Sequence, residues 1–255
     1  MKNQFSSTAF RMTKSLSFIL ILYCLTATCA LADSDWTGFY AGASIGALSG
    51  EANPSVVTIA DSYFTPIRDA AQLDPAASQE IDGQNMSGSL FFGGDYQINS
   101  VVLGLEATIM YSSFSEEESF SDIYDTNGDP FSLSSTFETD WMMSLAPRVG
   151  YAYKNSLFYV MGGVALSKFS YEFSFKDPVE QTRLDESETS WGWTVGAGYE
   201  YQISDGWGVK AEYAYYKFDD IFDVSSRLAT NTLDGFNHKV DFQADSFRLG
   251  LVKRF

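Results

Sequence analysis

The chain of 255 residues carries 33 acidic against 16 basic side chains, a formal charge of −17, and one histidine. A surface this acidic repels nucleic acid. Beyond the N-terminal region no stretch reaches the roughly 18 uninterrupted apolar residues of a membrane helix, so residence in a membrane would require strands.

Lys2, Arg11 and Lys14 give the chain a basic start, and Leu16 to Leu25, "LSFILILYCL", is apolar but too short to stay across a bilayer. It reads as the hydrophobic region of a secretory signal. Around Leu31, Ala30 and Ala32 supply the small residues a signal peptidase requires at the minus-three and minus-one positions, so cleavage is expected before Asp33, with residues 1–32 as the removed signal peptide and 33–255 as one domain. Cys24 and Cys29 leave with the signal; Tyr23 and Thr28 precede them where a lipobox requires a small residue. The mature part then has no disulfide and no cysteine metal site.

From there one pattern recurs. Trp141, Met143, Leu145, Pro147, Val149, Tyr151 and Tyr153 share one face of an alternating segment, while Met142, Ser144, Ala146, Arg148, Gly150 and Ala152 share the other. Trp191 to Tyr201 and Trp207 to Tyr215 repeat the alternation, each greasy on one side and small or charged on the other. Trp141 and Tyr151, like Trp191 and Tyr201, stand ten residues apart, and a tilted strand crosses a bilayer in about 9–11 residues. With Trp207, these rings are expected to mark the two membrane interfaces.

Eight such segments are expected, near 37–49, 83–98, 101–113, 138–153, 156–173, 188–203, 207–219 and 240–255. Tight turns at 98–101, 154–156 and 204–206 alternate with long polar stretches at 50–82, 114–137, 174–187 and 220–239. This layout predicts an all-β fold, a single transmembrane antiparallel up-and-down β-barrel of eight strands with short periplasmic turns and long extracellular loops. Residues 55–67 could add a hairpin and make ten strands.

The facing assignment sends Asp95, Glu106, Arg148, Glu200, Lys210, Glu212 and Arg248 into the lumen. Confined charges need partners. They form either a gated path for small solutes or a salt-bridged plug, and the packing of narrow barrels favours the plug.

Of the 33 acids, 26 fall in the expected loops and their flanks. The simplest reading is a solvated anionic outer face beside lipopolysaccharide; the sharper one is contact with a basic surface partner. Asp125 to Pro130, "DTNGDP", has its glycine too early for an EF-hand and reads as a turn. His238, placed at the loop end of the last strand with Asp241, Asp219 and Asp220 within possible reach, is thin support for catalysis or haem ligation. No enzyme activity, cofactor or metal is expected.

Trp36 to Gly50, "WTGFYAGASIGALSG", resembles the first strand of the small porin-like surface antigens of Gram-negative bacteria, the opacity-protein and outer membrane protein A-like barrels, whose mature chains open with W-x-G-F-Y-x-G-x-x-x-G. Residues 159–171 and 192–218 and the last strand resemble the family's later hairpins. The resemblance implies an outer-membrane protein serving as structural component, adhesin, antigen or haem binder. It also implies that the assembly machinery reads the alternating end of the chain, here Phe247, Leu249, Leu251 and Phe255, with Lys253 where the family usually has Tyr. Expected partners are outer-membrane lipid and lipopolysaccharide, that machinery, and an extracellular or host surface partner through the acidic loops.

Overall fold

The computed structural model describes residues 34–255 except Pro66 and Asp205, so the expected signal peptide and its cleavage site lie outside the described residues. Eight strands follow in order: β1 (Gly38–Ile59), β2 (Ile81–Ile98), β3 (Val101–Ile123), β4 (Pro130–Tyr153), β5 (Ser156–Lys176), β6 (Gln181–Ser204), β7 (Trp207–Arg227) and β8 (Gly235–Arg254). One helix, α1 (Asp69–Ala77), lies between β1 and β2. Each strand pairs antiparallel with its neighbour in sequence, and β8 returns to β1 from Tyr40↔Arg254 to Ile59↔Gly235. The ring is an eight-stranded meander. Residues 55–59 form no separate hairpin; they continue β1 against β8.

The three tight turns sit where the alternation stops. Asn99 and Lys154 take left-handed φ angles of 56° and 53° to reverse the chain, and Gly206 does so at 75°. A side chain on Gly206 would also collide with the Arg254 carbonyl, 2.5 Å from its Cβ position.

The strands are longer than the periodicity suggests, which shortens the loops to 60–80, 124–129, 177–180 and 228–234. At about 3.3 Å per residue and a tilt near 45°, the 20–24 residues of most strands rise roughly 50 Å, twice the height of a lipid-facing band of about 25 Å. Alternation persists beyond the membrane, but the apolar face moves from outside to inside. On β5 the outward Phe158, Val160 and Val164 are exposed, whereas higher up the inward Phe169, Tyr171, Phe173 and Phe175 are buried. On β4 a bulge between Thr139 and Met142 makes the same switch by shifting parity, so that Phe131, Leu133 and Phe137 point in. The stretches expected as polar loops are therefore largely strand. Glu116, Glu117 and Glu118 belong to β3, where they pair with Phe137, Thr136 and Ser135.

Above the membrane the ring parts in two places. β2 and β3 pair only from Ile98↔Val101 to Ser87↔Ser112, and β6 and β7 only from Ser204↔Trp207 to Trp193↔Lys217. The upper molecule becomes a sandwich of β7-β8-β1-β2 against β3-β4-β5-β6. Rings from the two sheets meet at Phe169–Phe218 (4.9 Å between centroids), Phe137–Phe242 (5.2 Å), Phe173–Phe236 (5.2 Å) and Phe114–Phe242 (5.5 Å). Helix α1 stands in the first opening. Thr58 N–H donates to Asp74 on one side, and Gln72 Nε2 donates to the Ile123 carbonyl at 2.7 Å on the other.

Candidate functional site

Inside the membrane-level barrel, inward positions of all eight strands converge on one polar network. Arg148 of β4 grips Asp95 of β2 through Nε (2.9 Å) and Nη2 (2.5 Å), and its Nη1 reaches Glu200 of β6 at 2.6 Å and Glu106 of β3 at 3.4 Å. Lys210 of β7 holds Glu106 at 2.6 Å and Glu212 at 2.8 Å, and Arg248 of β8 pairs with Glu212. The seven lumen residues named from sequence are thus brought together, all nearly or fully buried.

Three members were not anticipated. Arg254 donates to Asp95 at 2.8 Å and to Glu200 at 3.2 Å, and also to the Trp36 carbonyl. Tyr40 of β1 donates to Glu106 at 2.9 Å and Tyr159 of β5 to Glu212 at 2.6 Å. Arg254 has the same inward parity as Arg248, which is the signal that identifies it; a tyrosine inside an alternating strand carries none. Arg254 completes the balance, with four cationic and four anionic side chains. The guanidinium of Arg148 also lies between the rings of Tyr40 (4.4 Å) and Tyr159 (4.7 Å). Where Ser44, Phe91, Thr108, Lys210, Glu212 and Arg248 meet, the remaining space has no room for a water.

The outer end is closed by a different device. Asp177 Oδ2 accepts from Tyr63 OH at 2.8 Å and Tyr124 OH at 3.2 Å, while Oδ1 accepts from the N–H groups of Val179 and Glu180. Burial, followed by this carboxylate, pushes both phenols above the ordinary tyrosine range. Glu180 in turn accepts from Thr230 N–H and Asn231 N–H, each at 3.0 Å. Asp234 accepts from the backbone of Asp61, Ser62, Tyr63 and Phe64. Three buried carboxylates therefore lace the four outer loops together. This corrects the expectation that the loop acids all lie on the solvated face: chain reversals leave unpaired N–H groups, and a carboxylate satisfies several of them at once.

His238 is likewise not a solvated loop residue. It sits on the inward face of β8, fully buried, with Nε2 2.9 Å from Ser226 Oγ and its ring 4.5 Å from that of Phe173. Asp241 lies on the opposite parity and instead accepts from Asp220 N–H. Asp125 to Pro130 forms a turn closed by Gly128 N–H to the Tyr124 carbonyl and Tyr124 N–H to the Asp129 carbonyl. Among the described residues no group of three or more metal-binding side chains occurs.

On the outside, Trp191, Trp207, Tyr201 and Tyr151 are exposed and Trp141 is half-buried. Tyr151 pairs with Val101 and Tyr201 with Ser156 beside the short turns; Trp141 pairs with Tyr111 and Trp191 with Leu166 at the other rim. Between the rims lie exposed Leu90, Leu105, Leu145, Val160, Val195 and Leu249. Phe247, Leu249 and Leu251 point outward along β8, Phe255 follows its last residue, and all four are exposed.

A closed meander with an apolar outer belt, short turns on one side and a charge-paired interior is a transmembrane β-barrel. The chain belongs to the family of the outer membrane protein β-barrel domain, whose model matches residues 17–255. It is similar to the 31 kDa outer-membrane immunogenic protein of Brucella melitensis, 26% identical over 223 residues that cover 86% of this chain and 84% of that protein. It is also similar to the 22 kDa outer membrane protein of Rhizobium leguminosarum, 25% identical over 66% of this chain and 65% of that one. Among solved structures, the outer membrane protease OmpT of Escherichia coli aligns with a TM-score of 0.49 at 15% identity, covering 89% of this chain and 99% of that one. OprG of Pseudomonas aeruginosa aligns at 0.44 and 12%, covering 88% and 99%. The protein is an outer-membrane β-barrel protein of the Gram-negative cell envelope.

Proposed function

We propose that the barrel is a closed scaffold and that the protein works by contact at its outer face, as an adhesin or surface antigen, without passing solutes. The observation that carries this reading is closure at two heights. The eight-charge network fills the membrane-level lumen, and the Phe169, Phe218 and Phe242 cluster fills the section above it. A hydrated path would have to open both. The non-catalytic reading is supported by the burial of His238 among Tyr171, Phe173 and Ser226, which keeps substrate from its ring.

The partners this role calls for are lipopolysaccharide around the aromatic rims, the assembly machinery at the exposed β8 alternation, and a basic surface partner at the acidic upper wall. Planar-bilayer recording with refolded protein tests the closed scaffold: a flat baseline is expected, and steady open-channel steps would favour a narrow porin instead. Adhesion of cells displaying the wild type, compared with a variant carrying neutral residues on the upper wall, tests the contact role.

A further inference from the structure

Of the two openings in the upper sandwich, one is filled by the chain itself and one is not. In the β2/β3 opening α1 bonds to both sides, and Asn85 Nδ2 reaches Glu116 across the lower part at 3.5 Å. The β6/β7 opening is closed only at its ends, by Trp193↔Lys217 below and by Thr182 Oγ1 to the Arg227 carbonyl (2.6 Å) and Ala229 N–H to the Gln181 carbonyl (3.0 Å) above. Between these points, Arg183 to Trp191 of β6 pair with β5 alone, and Phe222 to Ser226 of β7 pair with β8 alone. Half the main-chain groups along two facing edges therefore lack a strand partner. Side-chain exposure reports the same opening independently. Glu186 and Glu188 pair with Tyr171 and Phe169, whose side chains are buried inside the sandwich, so both glutamates have inward parity, yet both are exposed.

The rim of this opening is acidic. Asp185, Glu186 and Glu188 stand on the β6 edge, and Asp219, Asp220 and Asp223 on β7, where a bulge between Phe218 and Phe222 gives Asp220 a left-handed φ of 50°. Lys217 pairs with Asp219 at 3.4 Å, Lys239 with Asp223 at 3.3 Å and Arg183 with Glu172 at 3.0 Å. Asp185, Glu186, Glu188 and Asp220 have no ion-pair partner among the described residues.

We propose that the β6/β7 opening is a docking site for an extended, basic peptide segment of a partner protein, held by strand addition to the free edges and by its cations on these carboxylates. The mode combines the two features present: main-chain groups supply affinity, and alternate side chains meet a charged rim. A second copy of this chain is a poor occupant, because it would bring the same acids to the rim. The proposal deepens the outer-face reading above and rests on it.

The test is fluorescence anisotropy with full-length protein refolded in detergent and a labelled synthetic peptide of alternating lysine and threonine, long enough to follow the nine residues from Arg183 to Trp191. Saturable binding is expected, weakened about tenfold in the triple variant Glu186→Gln, Glu188→Gln, Asp220→Asn, which removes three carboxylates that would pair with the peptide's cations. A peptide of the same charge, N-methylated at alternate residues, is expected to bind as weakly, since it keeps its cations but cannot complete a ladder. The control Glu116→Gln, Glu117→Gln, Glu118→Gln on β3 is expected to bind like the wild type. Equal loss in the control, or full binding of the N-methylated peptide, would overturn the site and leave only diffuse attraction to an acidic surface. Absence of any saturable binding would overturn it as well. In either case the contact role stands or falls separately, on the cell-adhesion comparison. Heat-dependent gel mobility of each variant checks that the barrel is intact.

Discussion

Asp234, in the last outer loop, accepts a hydrogen bond from the backbone N–H of Phe64 in the first, 3.1 Å away across 170 residues of sequence. The same carboxylate takes the N–H groups of Asp61, Ser62 and Tyr63, and Phe64 packs its ring on Phe175 and Phe236. One ionised side chain thus holds the loop that carries an aromatic stopper into the top of the sandwich. Burial alone would raise its pKa; the four N–H donors outweigh that and hold it at about 2.

A carboxyl whose folded pKa lies below its unfolded value of about 3.9 contributes its full stabilisation above that value and loses it as pH falls toward the folded value, here on the order of 2 kcal/mol in all. Pepsin cleavage within residues 60–68 is therefore expected to increase between about pH 4 and pH 2, beyond the enzyme's own change measured on an unfolded substrate. In Asp234→Ala the loop is expected to be cut already at pH 4, with no further rise. A wild-type loop equally resistant at both values would mean that the clasp does not hold it.

Arg148 touches three of the four acids of the lumen network, so removing it strands charge. Arg148→Met is expected to destabilise the barrel by roughly 3–5 kcal/mol, the usual consequence of leaving buried ions unpaired. Combining it with Asp95→Asn and Glu200→Gln should recover much of that loss. Urea titration in detergent, read by heat-dependent gel mobility, measures both. If the single variant were as stable as the wild type, the network would be relaxed by water instead of dry and paired.

The lower half of the molecule was legible because it obeys one rule: apolar out, small or charged in, reversed at tight turns. That rule places Arg148, Lys210 and Glu212 from parity alone. It fails above the membrane, where the exterior meets water and the interior fills with phenylalanine, so the alternation inverts and reads as loop. Glu116 to Glu118 look like a solvated loop because three consecutive acids mask the period of β3; Asp177 and Asp234 look solvated because nothing local reveals a distant backbone that needs an acceptor. His238 misleads for the same reason, since its burial depends on Tyr171 and Phe173 from another strand. Helix α1 is short and held from outside by Thr58 and Ile123, contacts that no local pattern encodes.

Lipid facing can be tested at neighbouring positions of opposite parity. Val195 is exposed on the outer wall and Thr194 is buried, its hydroxyl donating to the Tyr215 carbonyl at 2.9 Å. Val195→Arg is expected to cost about 2–4 kcal/mol, the price of a cation near the bilayer midplane. Thr194→Arg is expected to block refolding through crowding and loss of that hydrogen bond. Tolerance of arginine at Val195 equal to that at exposed Glu117 would end the lipid-facing assignment of β6.

An open sheet edge has no place in lipid, so β8 pairs with β1 along its length, and even Phe255 donates its N–H to the Phe39 carbonyl at 2.9 Å. Its ring, like the side chains of Phe247, Leu249 and Leu251 in the same row, faces outward, where a partner can read it before lipid covers it. Lys253 interrupts the row, but its ammonium lies 5.3 Å from the centre of the Trp207 ring, so the long stem follows the wall while the charge stays at the interface. Deletion of Phe255 removes one ring and one backbone bond beside a β1/β8 ladder of twenty residue pairs, too little to unfold a finished barrel. The deletion is therefore expected to refold normally in detergent yet accumulate in the periplasm of cells, whereas Lys253→Tyr raises the outer-membrane fraction. Membrane fractionation with surface-protease accessibility separates the two effects: normal surface exposure of the deletion variant would refute recognition of the Phe255 ring, while failure of the deletion variant to refold in detergent would show that the ring serves closure itself.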